Sequence, residues 1–167
     1  MYTVIEGGVT AAAGFQTAST AAGIKYKNRK DMAMIYSEKP CKAAGTFTTN
    51  IVKAAPVKWD QKIVKESEYA QAVVINAGIA NACTGAEGMG YCAETAQAAS
   101  AALKVPESAV LVASTGVIGM QLPMDKLKAG IAAMAPELSG TIESGTEAAK
   151  SIMTTDTRKK EVTVQFE

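Results

Sequence analysis

The chain has 167 residues, 17 Lys plus Arg against 16 Asp plus Glu, and no histidine. That length suits one domain over residues 1–167 with a sizeable core, and charges this interspersed present no basic face for nucleic acid. Without histidine the chain by itself can assemble no Ser-His-Asp triad, no Cys-His pair and no histidine-held metal. Any proton must be handled by a carboxylate, a lysine, an α-amine or another chain. Cys41, Cys83 and Cys92 are odd in number and form no C-x-x-C, so neither a disulfide framework nor a thiolate zinc site is expected, and they read as small buried hydrophobes. No apolar run approaches the roughly 18 residues that span a membrane. The first ten residues hold Glu6 and Gly7-Gly8, unlike a signal peptide. A soluble cytoplasmic protein is the expectation.

Residues 1–31 are small, with Gly7-Gly8, Gly14 and Gly23 spacing short apolar pieces and a low-bulk run at 18–22. Residues 32–37 and 43–48 read as two strands separated by the turn signal Glu38-Lys39-Pro40. The second ends in Thr46-Phe47-Thr48-Thr49-Asn50, a run dominated by polar groups. Pro56 suits the first turn of a helix to about Glu66, with Val57, Ile63 and Val64 inward. Residues 70–75 form a continuous apolar run of the kind carried by a strand buried on both faces. They lead into a loop of small and amide-bearing residues at 76–85. Thr84-x-x-Glu87 reads as a capping box for a helix with Met89, Cys92, Ala96 and Leu103 on one face, closed by Pro106. An apolar strand at 109–112 follows, so residues 70–119 form a β-α-β unit.

Pro123 then opens a helix with Met124, Leu127, Ile131 and Met134 inward, and residues 136–140 break it. Ser144-x-x-Glu147 reads as a second capping box, for a helix through Ile152. It ends in Thr154-Thr155-Asp156-Thr157, which local chemistry explains as a helix end rich in cap formers. Residues 161–167 alternate like a half-buried strand and stop without a turn, so the chain reads as truncated, processed or completed by something further.

Chemistry converges on residues 113–119, Ala-Ser-Thr-Gly-Val-Ile-Gly. A sharp turn of small residues between a strand and a helix can aim N–H donors and a threonine hydroxyl at an oxyanion or carbonyl oxygen. It is also what an ordinary strand-to-helix connection looks like, with Gly116 and Gly119 serving backbone geometry alone. The crossover unit brings both polar loops, at Asn76 and at Ser114, to the carboxyl ends of parallel strands, where open α/β sheets bind ligands. Neither is a nucleotide signature: there is no P-loop, and Gly116-x-x-Gly119 lacks dinucleotide spacing.

The order of motifs resembles the α chain of the ornithine acetyltransferase (glutamate N-acetyltransferase) family. The matching stretches are Gly14-Phe15, Ala22-Gly23-Ile24-Lys25, Lys30-Asp31, Thr46 to Asn50 with Ala54-Ala55-Pro56-Val57, Asn81-Ala-Cys-Thr-Gly85, Ser114-Thr-Gly-Val-Ile-Gly119, Leu122-Pro-Met-Asp-Lys126 and Ile152-Met-Thr-Thr-Asp156. The resemblance implies a layered α/β sandwich of the self-processing N-terminal-nucleophile type. In that family a precursor cuts itself before a threonine, which becomes the nucleophile of a β chain. The implied partner is therefore a β chain from the same precursor, in an α2β2 or larger assembly. The implied reaction is ping-pong transfer of acetyl from N2-acetylornithine to glutamate in arginine biosynthesis. No cofactor is implied, although some members accept acetyl-CoA as acetyl donor.

Carried over by position, Thr115 contributes its hydroxyl and Gly116 its backbone N–H to the oxyanion hole, and Thr154 matches a substrate-binding threonine. Where the family usually reads Asn-Ser-Gly-Asn-Ala-Asn, this chain has Asn76-Ala77-Gly78-Ile79-Ala80-Asn81, so Ala77 and Ile79 lack the side-chain polar groups for direct ligand contact. The family's substrate-binding lysine and its cleavage site fall beyond Glu167, and this chain holds no nucleophile. An N-terminal threonine can use its own α-amine as base, which agrees with the absence of histidine. Two further readings stay open: an amide hydrolase of the same fold, and a small-anion-binding domain without chemistry.

Overall fold

The computed structural model describes residues 1–67 and 69–167. Strands β1 (Tyr2–Ile5), β2 (Phe15–Thr20) and β3 (Met32–Cys41) precede helix α1 (Ala55–Glu66). They are followed by β4 (Ala70–Ile79), α2 (Glu87–Leu103), β5 (Val110–Val117), α3 (Met124–Met134), α4 (Ile142–Ser151) and β6 (Thr163–Phe166). The main sheet has the order β2-β3-β4-β5. Its first two pairings are antiparallel, while β4 and β5 run parallel from Ala72↔Val110 to Ile79↔Val117, as the β-α-β pattern at 70–119 requires.

One face of the sheet is closed. Met32, Met34, Ala72, Val74, Val110 and Val112 point into a core completed by Cys92, Ala96 and Ala99 of α2 and Leu127, Ile131 and Met134 of α3. Burying each of the larger side chains is worth roughly 1.5–3 kcal/mol, and this cluster is the main stabilising term. The opposite face is covered by α4 beside β2 and β3, and Ile35, Val73, Ile75 and Leu111 stay half-buried there. β4 is therefore sealed on one face only, not on both as its apolar run suggests.

The two strand edges are blunted, as exposed edges require. Thr17 of β2 exchanges backbone hydrogen bonds of 2.9 and 3.0 Å with Ser139. On β5 the outward Val110 carbonyl accepts from Trp59 Nε1 at 3.0 Å, and the Val112 N–H donates to Asp60 Oδ1 at 2.9 Å, both side chains of α1. β1 and β6 form a separate antiparallel ribbon.

Several expectations are corrected. Glu38-Lys39-Pro40 is not a turn: β3 continues to Cys41, and a bulge between Tyr36 and Cys41 absorbs these residues, held by the Ser37 hydroxyl donating to the Lys39 carbonyl at 2.7 Å. Proline in a strand is tolerated at such a bulge. Residues 43–48 pair with no strand. Neither capping box forms. Thr84 donates inward to Asn81 Oδ1 at 2.8 Å, and α2 starts from Ala86 without a side-chain cap. α4 is capped by Thr141, whose hydroxyl accepts from the Ser144 amide, while the Ser144 hydroxyl donates to the Thr17 carbonyl at 2.5 Å. Met89 is exposed, and the buried stripe of α2 runs through Gly88, Cys92, Thr95, Ala96 and Ala99. Of the cysteines, Cys92 alone is buried; Cys41 is half-buried, and Cys83 is exposed in a turn with φ of 56°.

Candidate active site

The parallel pair β4 and β5 extends further than its apolar runs, and this places the site. Asn76 to Ile79 and Ala113 to Val117 are strand, not loop, so Gly78 and Gly116 lie side by side in register. Both have positive φ, 110° and 132°, in a region that favours glycine. A Cβ on Gly116 would stand 2.3 Å from the Gly78 carbonyl carbon, so two backbones meet there with no room for a side chain. β5 is the edge strand. The Val110 and Val112 backbone groups point away from β4 toward α1, and alternation along the strand puts the Gly116 N–H on that same outer edge.

Beneath these glycines lies a buried polar network. Asn76, 3% exposed, donates from Nδ2 to the Ile79 carbonyl at 2.7 Å and accepts at Oδ1 from the Ser114 hydroxyl at 2.5 Å. One amide thus ties the end of β4 to the end of β5. Asn81 donates to the Gly88 carbonyl at 2.9 Å, anchoring the following loop to α2. The Val117 carbonyl accepts from Ala80 N–H and the Ala82 carbonyl from Gly119 N–H, each at 2.8 Å. Satisfied buried amides of this kind hold one geometry. Cys92 sits against this network, and burial, with Asp60 nearby, pushes its thiol up to about 12, so it is no nucleophile.

Thr115 alternates with Ser114 and so faces the open side of the sheet, beyond Ala113, whose register partner is Ile75. On that side lies a basin of about 560 Å³ floored by Ala33, Ile35 and Ile75 and walled by Ala148, Ile152 and Glu161. Thr154 follows α4, which packs on β2 at the other edge. The structure therefore brings Thr115 and Gly116 together and sets Thr154 apart from them. Among the described residues no hydrogen bond joins Thr154 to β5.

Residues 25–30 link the two regions, and the sequence marks only their ends, Lys25 and Lys30, through the resemblance. Arg29 donates to the carbonyl of Met153 and its guanidinium lies 4.3 Å from the centroid of the Tyr26 ring. That ring packs within 3.2 Å of where a Gly78 Cβ would be. The loop is formed by Asp31, fully buried, whose two carboxylate oxygens accept from the Ala22 and Ile24 amides at 2.7 Å each. The Gly23 carbonyl accepts from Lys126 Nζ at 2.6 Å. The signals in the sequence were the Ala22-Gly23-Ile24-Lys25 and Lys30-Asp31 stretches of the resemblance, which flank Tyr26 and Arg29 without marking them. Aromatic-guanidinium stacking has no sequence period.

The ArgJ family profile matches residues 16–167. The chain belongs to the ArgJ family. It is 50% identical over 165 residues to the arginine biosynthesis bifunctional protein ArgJ of Symbiobacterium thermophilum, a match covering 98% of this chain and 40% of that protein. The protein of the same name from Mycolicibacterium paratuberculosis is 47% identical, over 94% of this chain and 40% of its own length. Among solved structures, the ornithine acetyltransferase of Mycobacterium tuberculosis, crystallised with ornithine, superposes with a TM-score of 0.93 at 45% identity, covering 98% of this chain and 88% of that one. The ArgJ structure from Bacillus halodurans gives 0.91 at 38% identity, covering 99% and 86%. The chain spans about 40% of the length of the curated ArgJ relatives it matches. Its α/β architecture is that of the ArgJ structures.

Proposed function

We propose that this ArgJ-family chain is the α chain of an ornithine acetyltransferase, and that Thr115 and Gly116 form its oxyanion hole. The observation that carries this is the pair of positive-φ glycines, Gly78 and Gly116, which meet backbone to backbone and fix the end of β5 at Thr115 and Gly116. A donor pair on a rigid strand end is what a tetrahedral acyl intermediate needs, because its charge is met without reorganisation. In the proposed reaction a threonine hydroxyl of a β chain attacks the acetyl carbonyl of N2-acetylornithine. The C–N bond breaks, the leaving amine takes the proton, and an acetyl ester remains. The glutamate amine then attacks the ester and restores the hydroxyl. Thr115 and Gly116 donate to the carbonyl oxygen in both steps, and Thr154 contacts substrate.

The β chain is proposed to cover the half-open face where Ile35, Val73, Ile75 and Leu111 are incompletely buried. Support for a divided protein comes from M. tuberculosis. Its curated relative is matched over 40% of its length but its crystallised chain over 88%, so the crystallised chain is less than half of the full protein. An α/β sandwich of the N-terminal-nucleophile type, a cytoplasmic location and assembly as α2β2 or larger belong to the same proposal. No bound cofactor takes part; acetyl-CoA would serve as a second acetyl donor.

The test uses the chain together with the C-terminal portion that its relatives carry. Acetyl transfer from N2-acetylornithine to glutamate is expected, and Thr115→Ala should lower kcat about 100- to 1000-fold with KM little changed. Release of free acetate without a glutamate requirement would replace the transferase by a hydrolase. Loss of substrate affinity without loss of turnover would remove the oxyanion role.

A further inference from the structure

The edge strand that presents Thr115 and Gly116 is gripped by side chains outside the site described above. We infer that α1 works as a clamp on β5: Asp60 and Trp59 are positioning residues that set the height of Thr115 and Gly116 against the reacting carbonyl. The inference rests on the proposed oxyanion role of those two residues and goes beyond it, because neither Asp60 nor Trp59 touches them.

On its inner side β5 is fixed by the parallel ladder to β4. On its outer side a strand at a sheet edge has carbonyls and amides with no ladder partner. α1 supplies them from adjacent residues of a single turn: Trp59 Nε1 donates to the Val110 carbonyl at 3.0 Å, and Asp60 Oδ1 accepts from the Val112 amide at 2.9 Å. This donor-acceptor pair copies what a neighbouring strand would offer at two outward positions in succession. The next outward residue, Ser114, donates its hydroxyl to Asn76 at 2.5 Å. The one after that is Gly116, whose amide is the proposed oxyanion donor. The Ser114 bond runs back to β4, so α1 engages the outer edge at 110 and 112, and the inner side is pinned at 114, just before the donor at 116. The grip ends three residues before Thr115, roughly 10 Å of strand.

The clamp is itself seated. Pro56 and Ile63 of α1 are buried, and the Ala55 amide donates to the Asn81 carbonyl at 3.3 Å, joining the helix start to the loop that leaves β4. The carboxyl of Asp60 is held in this half-buried place although burial raises it to about 6, with the Val112 amide pulling the other way. A surface aspartate would carry no such burden. Only displacements of about 1 Å at an oxyanion hole are needed to cost on the order of 100-fold in rate.

The experiment is a double-mutant cycle in the assembled enzyme, with the chain joined to the C-terminal portion of its relatives. Asp60→Ala is expected to lower kcat about 10- to 100-fold with KM within about twofold. Asp60→Asn, which keeps an oxygen acceptor for the Val112 amide, should stay within about threefold of the parent. Trp59→Phe, which deletes only the N–H donor, should lower kcat by a smaller factor. In a Thr115→Ala background, Asp60→Ala should lose part of its effect, since one of the two donors the clamp positions is already gone while the Gly116 amide remains. Far-UV circular dichroism and thermal unfolding of the assembled enzyme report the folded fraction of each variant. If Asp60→Ala does not fold, Trp59→Phe and Asp60→Asn carry the test. Unchanged kcat in Trp59→Phe and in Asp60→Ala, an Asp60→Asn as slow as Asp60→Ala, or full additivity with Thr115→Ala would each overturn the clamp. If Thr115→Ala itself keeps full turnover, the oxyanion role has failed, and that result is distinct from additivity in a Thr115→Ala enzyme that is slow.

Discussion

The carboxyl end of β4 and β5 and the segment after α4 carry similar side chains and are built differently. At the strand ends Asn76, Asn81 and Thr84 are buried, each polar side chain has a partner, and two glycines meet backbone to backbone. After α4, Thr155, Asp156 and Thr157 are exposed, and Asp156 pairs at the surface with Lys160. Hydroxyls and carboxylates alone therefore do not mark a site. What separates the two regions is whether the geometry is enforced by neighbours that cannot move.

The largest expected effect is at Gly116. Gly116→Ala places a Cβ 2.3 Å from the Gly78 carbonyl carbon and holds alanine at φ near 132°. Backbone cannot step aside as a flexible side chain can, so the strand ends must separate. Stability read by thermal unfolding should fall by several kcal/mol, and acetyl transfer by more than about 100-fold. Gly119→Ala is the matched control: its φ is also positive, at 79°, but nothing lies within 4 Å. It should cost about 1 kcal/mol. Equal losses in the two variants would mean that positive φ alone, and not the close approach to Gly78, matters.

Asn76→Ala comes next. It strands the Ser114 hydroxyl and frees the Ile79 carbonyl within a buried network, a loss of about 2–4 kcal/mol read by chemical denaturation. Thr157→Ala, at the exposed segment, should change stability by less than about 0.5 kcal/mol. A small cost at Asn76 would erase the contrast between the regions.

Asp60→Asn sharpens it through pH. Burial raises the Asp60 carboxyl from 3.8 to about 6, so the fold holds a proton that the unfolded chain releases between those values. Asp60 thus favours the folded state below pH 3.8, and that contribution is lost as pH rises through 6. The amide introduced by Asp60→Asn does not titrate and keeps an acceptor for Val112. The variant should be more stable than the parent above about pH 6, by at most on the order of 3 kcal/mol, with the difference vanishing below about pH 4. A pH-independent difference in stability would show that the carboxylate is hydrated in the fold.

Much of this was legible in the sequence, for reasons that differ by residue. The β-α-β unit followed from the apolar runs at 70–75 and 109–112 around a helical period, and Leu127, Ile131 and Met134 fell on the buried face of α3 as spaced. The motif at 113–119 was readable, but the strand ends were not. Asn76, Gly78, Ser114 and Gly116 are turn-formers by propensity, and here they are strand because a cross-strand hydrogen bond and a glycine pair overrule propensity. Thr84 and Ser144 matched a capping pattern yet bond to tertiary partners, Asn81 and Thr17. The Arg29–Met153 and Tyr26–Gly78 contacts and the α1 clamp join residues far apart in the chain, and no local pattern encodes them.

The smallest expected effect tests Thr154. It is half-exposed on an irregular segment, tied to the rest of the molecule through its neighbour Met153, whose carbonyl accepts from Arg29. A threonine that only binds substrate gives the ground state and the transition state the same contact. Its removal should then raise KM and leave kcat unchanged. One neutral hydrogen bond is worth about 0.5–1.5 kcal/mol, so Thr154→Ala should raise KM for N2-acetylornithine about 2- to 12-fold. Asp156→Asn, two residues on, should leave KM, kcat and Tm where they were, because its ion pair with Lys160 is screened by solvent. A fall in kcat for Thr154→Ala comparable with that of Thr115→Ala would move the segment after α4 into the machinery that stabilises the transition state, and the two regions would no longer differ in kind.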